Sequence, residues 1–342
     1  MSDVMKTKIK NALITLAFPC ITWLIMDILC LISVNRHVLN TMLDVQNLIR
    51  NTGISACTAL ALSYNLGHGR FDLSLGAQRM LVAILGGNIA IQLGLGTFGV
   101  ILFALGFGLI FGSIVGLIFV VTRIPAMVLG VGMALVFECI AFVSSRSQGL
   151  QLFGVTGVGS LSNMYLTICV VLATVLIAMI IDRYTKFGFY ARAIDGSQKI
   201  AYNSGINIFK HAVGCYTIAG GLVSFSGVFD AAFRGGVDAQ LGFATNSPVM
   251  ANCFPMFLGK YMSRWSSDAV GILFSTMTIR LFQTGLSVMR VSATGQQVFT
   301  MSIFLLFLVF RANETLLQNY RAKKTRIAEA MIKKTQIEGA LA

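Results

Sequence analysis

The chain has 342 residues, of which 56% are hydrophobic and 11% charged, with 26 Lys+Arg against 13 Asp+Glu. An average soluble domain carries roughly 25% charged residues, whereas the apolar runs here extend for about 20 residues, enough to cross a hydrocarbon layer of roughly 30 Å as helices. This composition excludes a soluble globular domain, and the basic excess, which comes with no nucleic-acid module, is that of a membrane protein rather than a nucleic-acid binder.

Taken in chain order, Lys6, Lys8 and Lys10 precede an apolar run from Ala12 to Val34. The run is longer than a secretory leader core and no small-x-small cleavage site follows, so it reads as a retained span. Further spans are predicted at 47–66, 74–93, 98–121, 125–145, 162–182, 210–230, 243–259, 269–289 and 295–311, ten in all. The expected fold is therefore an all-α polytopic membrane protein. With the N-terminus in the cytoplasm, 20 of the 26 Lys and Arg, Arg70 and Arg79 among them, are counted on the cytoplasmic side, 5 on the other, and Arg280 within a span. That bias predicts cytoplasmic termini and a cytoplasmic 183–210 connection. The organisation expected is a transmembrane domain over 1–311 and a charged, cytoplasmic helical tail over 312–342, whose basic residues also suit anionic headgroups.

Between the second and third spans lies "GHGRFDLSLGAQ", residues 67–78. Its glycines let the backbone bend, and irregular backbone at membrane depth survives only where it is buried in protein or faces water. Two roles are open to Asp72 and Ser74: capping the third span, or lining a polar pathway. "GRFDLSLG" at 69–76 and "GGVDAQLG" at 235–242 share Gly-x-x-Asp-x-x-Leu-Gly, 166 residues apart. Gly69, Asp72 and Gly76 thus match Gly235, Asp238 and Gly242. Five spans separate the two, which points to an inverted repeat and would make Asp72 and Asp238 matching helix-start devices.

Asp27, Glu138, Arg280 and Gln283 fall within spans and must face the bundle interior or snorkel. No cluster of one sign appears, which suits a neutral solute better than an ion. Seven scattered cysteines without CxxC spacing, and His37, His68 and His211 far apart in sequence, predict small buried side chains and no metal site. No catalytic constellation is visible, and no G-x-x-x-x-G-K-[ST] phosphate loop occurs in these residues, so neither catalysis nor a cofactor is expected on this chain.

The connection "RYTKFGFYARAIDGSQKIAYNSGINIFK", 183–210, opens with Phe187-Gly188 and continues as a helix-compatible stretch, 189–194. The turn Asp195-Gly196-Ser197 follows, then a second short helical stretch, 198–203, stopped by Ser204-Gly205. Its mixture of Tyr190, Arg192, Gln198 and Lys199 with Ala191, Ala193, Ile194 and Ile200 suits docking of another protein.

"FGFYARAIDGSQKIAYNSGI" resembles the coupling loop of bacterial ABC importer permeases of the ribose, monosaccharide and autoinducer type. "GRFDLSLGA" at 69–77 resembles that family's Gly-x-x-Asp-Leu-Ser-x-Gly signature, and "TRIPAMVLGVGM" at 122–133 also looks like the family. The resemblance covers about residues 45 to 310. It implies a multi-pass permease subunit of the bacterial cytoplasmic (inner) membrane that takes up a sugar or sugar-like solute. Implied partners are a separate ABC ATP-binding subunit carrying ATP and magnesium, a second permease subunit, identical or different, an extracytoplasmic solute-binding protein and membrane lipid. The resemblance also implies that Phe187, Gly188, Arg192, Ala193, Asp195, Gly196, Ser204 and Gly205 rest in a cleft of the ATPase. Nucleosides or branched-chain amino acids are the alternative solutes, and a self-contained secondary carrier is the alternative from another class. One segment departs from the family: its Gly-Gly-x-Gly turn between the eighth and ninth spans is replaced by "FLGKYMSRWSSDAVG", which keeps Gly259 and Gly271. Arg264-Trp265 is not expected to make the same tight turn, which points to a specialised member such as one half of a heterodimer.

Overall fold

The computed structural model describes residues 3–314 and residue 323. The predicted tail, 312–342, therefore lies almost wholly outside the described residues. A first compact unit runs to Val291 and a second begins at Ser292. The first contains α1 (Asp3–Val34), α2 (Met42–Leu66), α3 (Leu75–Gln92), α4 (Gly96–Thr122), α5 (Ala126–Ser144), α6 (Met164–Tyr184), α7 (Lys186–Gly196) and α8 (Gln198–Asn203). It continues with α9 (Ile208–Arg234), α10 (Ser247–Ala251), α11 (Cys253–Met262) and α12 (Asp268–Val288). Two short strands, β1 (Leu150–Gln151) and β2 (Gly236–Val237), pair antiparallel. The described part of the second unit is one long helix, α13 (Ala293–Glu314).

Seven of these helices are long and apolar enough to cross a membrane: α1 from Lys10, α4, α5, α6, α9, α12 and α13. Each coincides with a predicted span. The predicted spans at 47–66 and 74–93 are the more polar α2 and the shorter α3. The predicted span at 243–259 is not a single helix. It is a 3-10 turn (Ala244–Asn246), then α10 and α11, which meet at Asn252. Pro248 opens α10 and Pro255 lies in the first turn of α11, the places where a missing N–H costs least.

α2 and α9 form the centre and run antiparallel. Arg50, near the start of α2, sits 5.6 Å over the Phe233 ring near the end of α9. His68, just past α2, lies 5.2 Å from His211 near the start of α9. Thr58 and Ser226 share a buried hydrogen bond of 2.6 Å between them. α4 closes on α9 through Gly108, Gly112 and Gly116, where any Cβ would strike the backbone of Gly220, Tyr216 or Val213. Small residues at this spacing let two helix backbones approach, as membrane helices require in the absence of a hydrophobic drive.

The 166-residue spacing recurs in the structure. α2 begins at Met42 and α9 at Ile208; Gly69 and Gly235 both take positive φ, 73° and 81°. Because α2 and α9 are antiparallel, the two segments leave opposite ends of the bundle and the copies run in opposite senses. They meet inside it: a Cβ on Gly76 would collide with the Thr245 carbonyl.

Candidate functional site

The 67–74 segment folds inward rather than across the surface. His68, Arg70, Asp72, Ser74, Gln78 and Arg79 are all buried. The Arg79 carbonyl lies against Gly227, 19 positions beyond the first residue of α9 and so about 28 Å along it. Arg79 therefore belongs to the bundle interior and not to the cytoplasmic connection in which its charge was counted. Asp72 sits at the turn into α3: Oδ1 accepts from the Ser74 N–H (2.8 Å) and hydroxyl (2.7 Å), and Oδ2 accepts from the Asn65 amide (3.0 Å). Every bond closes the turn on itself, and Asp72 does not reach the cavity described next.

That cavity, about 430 Å³, opens where the two repeated segments meet, a volume typical of small-molecule sites. α3 contributes Gly76, Arg79, Met80 and Ala83, and α9 contributes Asp230 and Arg234. The paired strands and their continuation supply Gln151, Phe153, Asp238 and Gln240, with Thr245 and Pro248 beyond. Arg79 Nη2 is 2.6 Å from Asp230 Oδ2, and Arg234 Nε donates to Asp230 Oδ1 at 2.9 Å. Two guanidinium groups and two carboxylates leave the lining electrically balanced. Asp238 is exposed here, so the two aspartates are not matching devices: one is a buried turn lock and the other faces the opening.

Glu138 holds the far side. Fully buried on α5, it accepts from the Phe243 N–H (2.8 Å), the Thr245 N–H (3.3 Å) and the Thr245 hydroxyl (2.6 Å). It thereby fixes the backbone that leads into the broken helix, a role no sequence pattern announced. Asp27 and Arg280, also predicted within spans, have partners as well. Asp27 accepts from the Val38 N–H and pairs with His37, both at 2.9 Å, while Arg280 donates to Ser55 and Gln283.

At the opposite end, α7 and α8 are two capped helices. Thr185 and Ser197 are their N-caps, and Gly205 (φ 81°) turns the chain out of α8. Phe187 stacks on His211 of α9 at 4.3 Å and 17°. Gly188 packs against the Asp182 backbone with no room for a Cβ, and Arg192 donates to the Asp182 carbonyl at 2.9 Å. The Ala193 carbonyl accepts the N–H of Ser197, which follows Gly196, and the Ser204 N–H and hydroxyl both return to the Ile200 carbonyl. Phe189, Ile200 and Tyr202 are 62%, 69% and 64% exposed on this platform. Asp195 Oδ1 lies 3.8 Å from His68 Nε2. Burial holds the His68 imidazole down to about 4, so it is neutral at neutral pH, and burial raises the Asp195 carboxyl.

The divergent 259–271 turn needs no glycine at its tip, because none of residues 263–267 takes positive φ. Gly259 and Gly271 serve instead to let α11 and α12 touch, and Trp265 packs on Phe18 of α1 and Tyr261. Two further expectations are corrected. Cys20, Cys139 and Cys169 are exposed rather than buried, since they fall on outward faces of their helices. The histidines are not dispersed: the fold brings His68 and His211 together. The predicted site residues thus fall in three places, with 187–205 by the start of α9, Asp72 and Ser74 in an interior turn, and Gly76 and Asp238 at the cavity; the cavity residues Arg79, Asp230, Arg234 and Gln240 were missed.

Residues 45–310 match the family described as the branched-chain amino acid transport system / permease component. Over 274 residues the chain is 22% identical to the ribose import permease protein of Escherichia coli K12, covering 78% of this chain and 84% of that one. It is 26% identical over 166 residues to the galactose/methyl galactoside import permease protein of Haemophilus influenzae, 48% of each chain. It is 23% identical over 235 residues to the fructose import permease protein of Rhizobium meliloti, covering 64% and 63%. The chain belongs to this permease family and is a multi-pass membrane protein of transport.

Proposed function

We propose, from that membership, that the chain is the membrane-spanning subunit of an ABC importer for a monosaccharide or similar neutral solute in the bacterial cytoplasmic membrane. The relatives import ribose, galactosides and fructose. A cavity lined by donors, acceptors and one aromatic ring, with balanced charge, suits a neutral polyol better than an ion. The observation that carries the reading lies at the other end of the molecule. Phe189, Ile200 and Tyr202 stand exposed on two short helices that are bolted to α6 and α9. An exposed apolar patch on a rigid, polar-rimmed knuckle is a protein-docking surface.

The partner docked there is an ATP-binding subunit, so on this reading the α7–α8 end is the cytoplasmic one. α9 is the lever. It spans 27 residues, about 40 Å, with the Phe187 stack near one end and Asp230 and Arg234 in the cavity near the other. Movement of α7 by the ATPase displaces α9 and remodels the cavity wall. A second permease subunit completes the pathway, and a solute-binding protein delivers cargo at the end that carries the strands. The test is gentle purification of the tagged full chain from its native membrane. Recovery of a P-loop ATPase at one copy per permease is expected; a homomer active in transport with no ATPase overturns the reading in favour of a self-contained carrier.

A further inference from the structure

We propose that His68, His211 and Cys215 bind a divalent transition-metal ion of the zinc type, with the Asp195 carboxylate of α7 as the fourth ligand. One nitrogen of each imidazole and the thiol sulfur all lie within 4.8 Å of one another, and all three residues are buried. His211 and Cys215 are four apart on α9, which puts both on one helix face.

The hydrogen bonds set the tautomers that a metal needs, with the thiol proton that Cys215 offers to His211 Nδ1 the one an ion would displace. His68 Nδ1 is 2.9 Å from the Tyr64 carbonyl, which only accepts, so the ring proton sits on Nδ1 and Nε2 keeps its lone pair. That Nε2 is buried and has no hydrogen-bond partner, in a residue only 8% exposed. His211 Nε2 faces the Phe187 carbonyl at 3.3 Å, which leaves the Nδ1 lone pair 3.5 Å from Cys215 Sγ. A metal-bound histidine is held in this way, with its second nitrogen donating to a backbone carbonyl.

Distances are close to what an ion requires. Zinc bonds of about 2.0–2.1 Å to nitrogen or oxygen and 2.3 Å to sulfur place the ligands of a tetrahedral site with one sulfur about 3.3–3.6 Å apart. The His211–Cys215 separation of 3.5 Å falls in that range, while the His68–Asp195 separation of 3.8 Å and the 4.8 Å limit within which the three ligand atoms lie mean that the side chains close in on the ion as it binds. Arg70 Nη2 lies 3.6 Å from the Cys215 sulfur, an outer donor that favours the thiolate a metal requires. Three ligands come from α9 and the segment entering α3, and the fourth from α7. The ion therefore fastens α7 to the bundle; that this bears on coupling rests on the permease reading, whereas binding itself does not.

Cobalt(II) is the probe. The full chain in detergent is stripped with a chelator and titrated with Co²⁺. The expected result is one ion per chain, a thiolate-to-cobalt charge-transfer band, and the intense visible bands of a tetrahedral site. Cys215→Ser should abolish the charge-transfer band while Cys57→Ser, also a buried cysteine, keeps it. Asp195→Ala should retain the band with binding weakened by about tenfold or more. No charge-transfer band in the wild-type chain, or one that survives Cys215→Ser, overturns the proposal. Unchanged affinity in Asp195→Ala overturns the four-ligand set. A chain that binds no cobalt yet co-purifies with an ATPase overturns this inference alone and leaves the permease reading standing.

Discussion

Two polar sites sit on the same helix, and they are built on opposite principles. Around Asp230 the charges are paired and the space is open: Arg79 and Arg234 share one carboxylate at the edge of a cavity. Around His211, 19 residues earlier and about 28 Å away along α9, a smaller cavity of about 210 Å³ reaches His68 and Asp195, and the His68 Nε2 is left without a hydrogen-bond partner. A pair at the edge of a cavity can exchange partners with the polar groups of a passing solute. An unpaired buried nitrogen carries a desolvation cost that a bound ion would offset. The difference teaches that burial of polar groups does not by itself mark a pathway; the state of the pairing decides which site passes a solute and which one grips.

The comparison is broken most forcefully at the cavity. Asp230→Ala leaves the Arg79 guanidinium, 9% exposed, without its 2.6 Å partner and with Arg234 still nearby. Removing one member of a buried pair costs about 3–5 kcal/mol. The expected outcome is a marked fall in the thermal unfolding midpoint in detergent, together with loss of uptake. Stability equal to wild type would mean that the pair does not hold α3 against α9. The next effect comes where the two repeated segments touch. Gly76→Ala drives a methyl group into the Thr245 carbonyl, a contact of backbone with backbone that no rotamer relieves. Overpacking of this kind costs about 1–3 kcal/mol. Uptake should fall more than stability does, because Gly76 and Thr245 both line the cavity; unaltered uptake would separate the repeat contact from transport.

Helices with strong, continuous apolarity were legible in the sequence: α4, α5, α6, α9 and α12 lie within a few residues of their predicted limits. The break at Asn252 was not, because hydropathy averaged over 243–259 conceals Pro248 and Pro255. The Gly-x-x-Asp motif was legible as a turn, and the positive φ of Gly69 and Gly235 explains why glycine stands at both. Its two aspartates do different work because Asn65 and Ser74 surround the first, while the second opens onto the cavity. Arg79 was read as a surface charge since a count by connection cannot see that the segment dives inward. His68 and His211 are 143 positions apart and Asp195 lies on a separate helix, so their meeting is a product of tertiary packing alone.

The comparison is sharpened at the α7–α8 end by two milder changes. Gly205→Ala places a Cβ at φ 81° in open space, so the cost is backbone strain alone, about 1 kcal/mol, and a small fall in midpoint is expected. A variant as stable as wild type would mean that α8 frays there without consequence.

Ile200→Asp should alter stability least of all and function most selectively. Ile200 is 69% exposed on α8, and surface substitutions of this sort stay within about 0.5 kcal/mol. The carboxylate replaces an apolar contact on the docking face, so the complex with the ATPase should weaken while the cavity, at the far end of α9, keeps its geometry. Solute binding to the purified permease should be unchanged, and ATP-driven uptake should be lost. Were uptake to persist at the wild-type rate, the exposed apolar face would not be the docking surface. Were solute binding to fall with it, the two ends of α9 would be one site in energetic terms, and their separation would be geometric only.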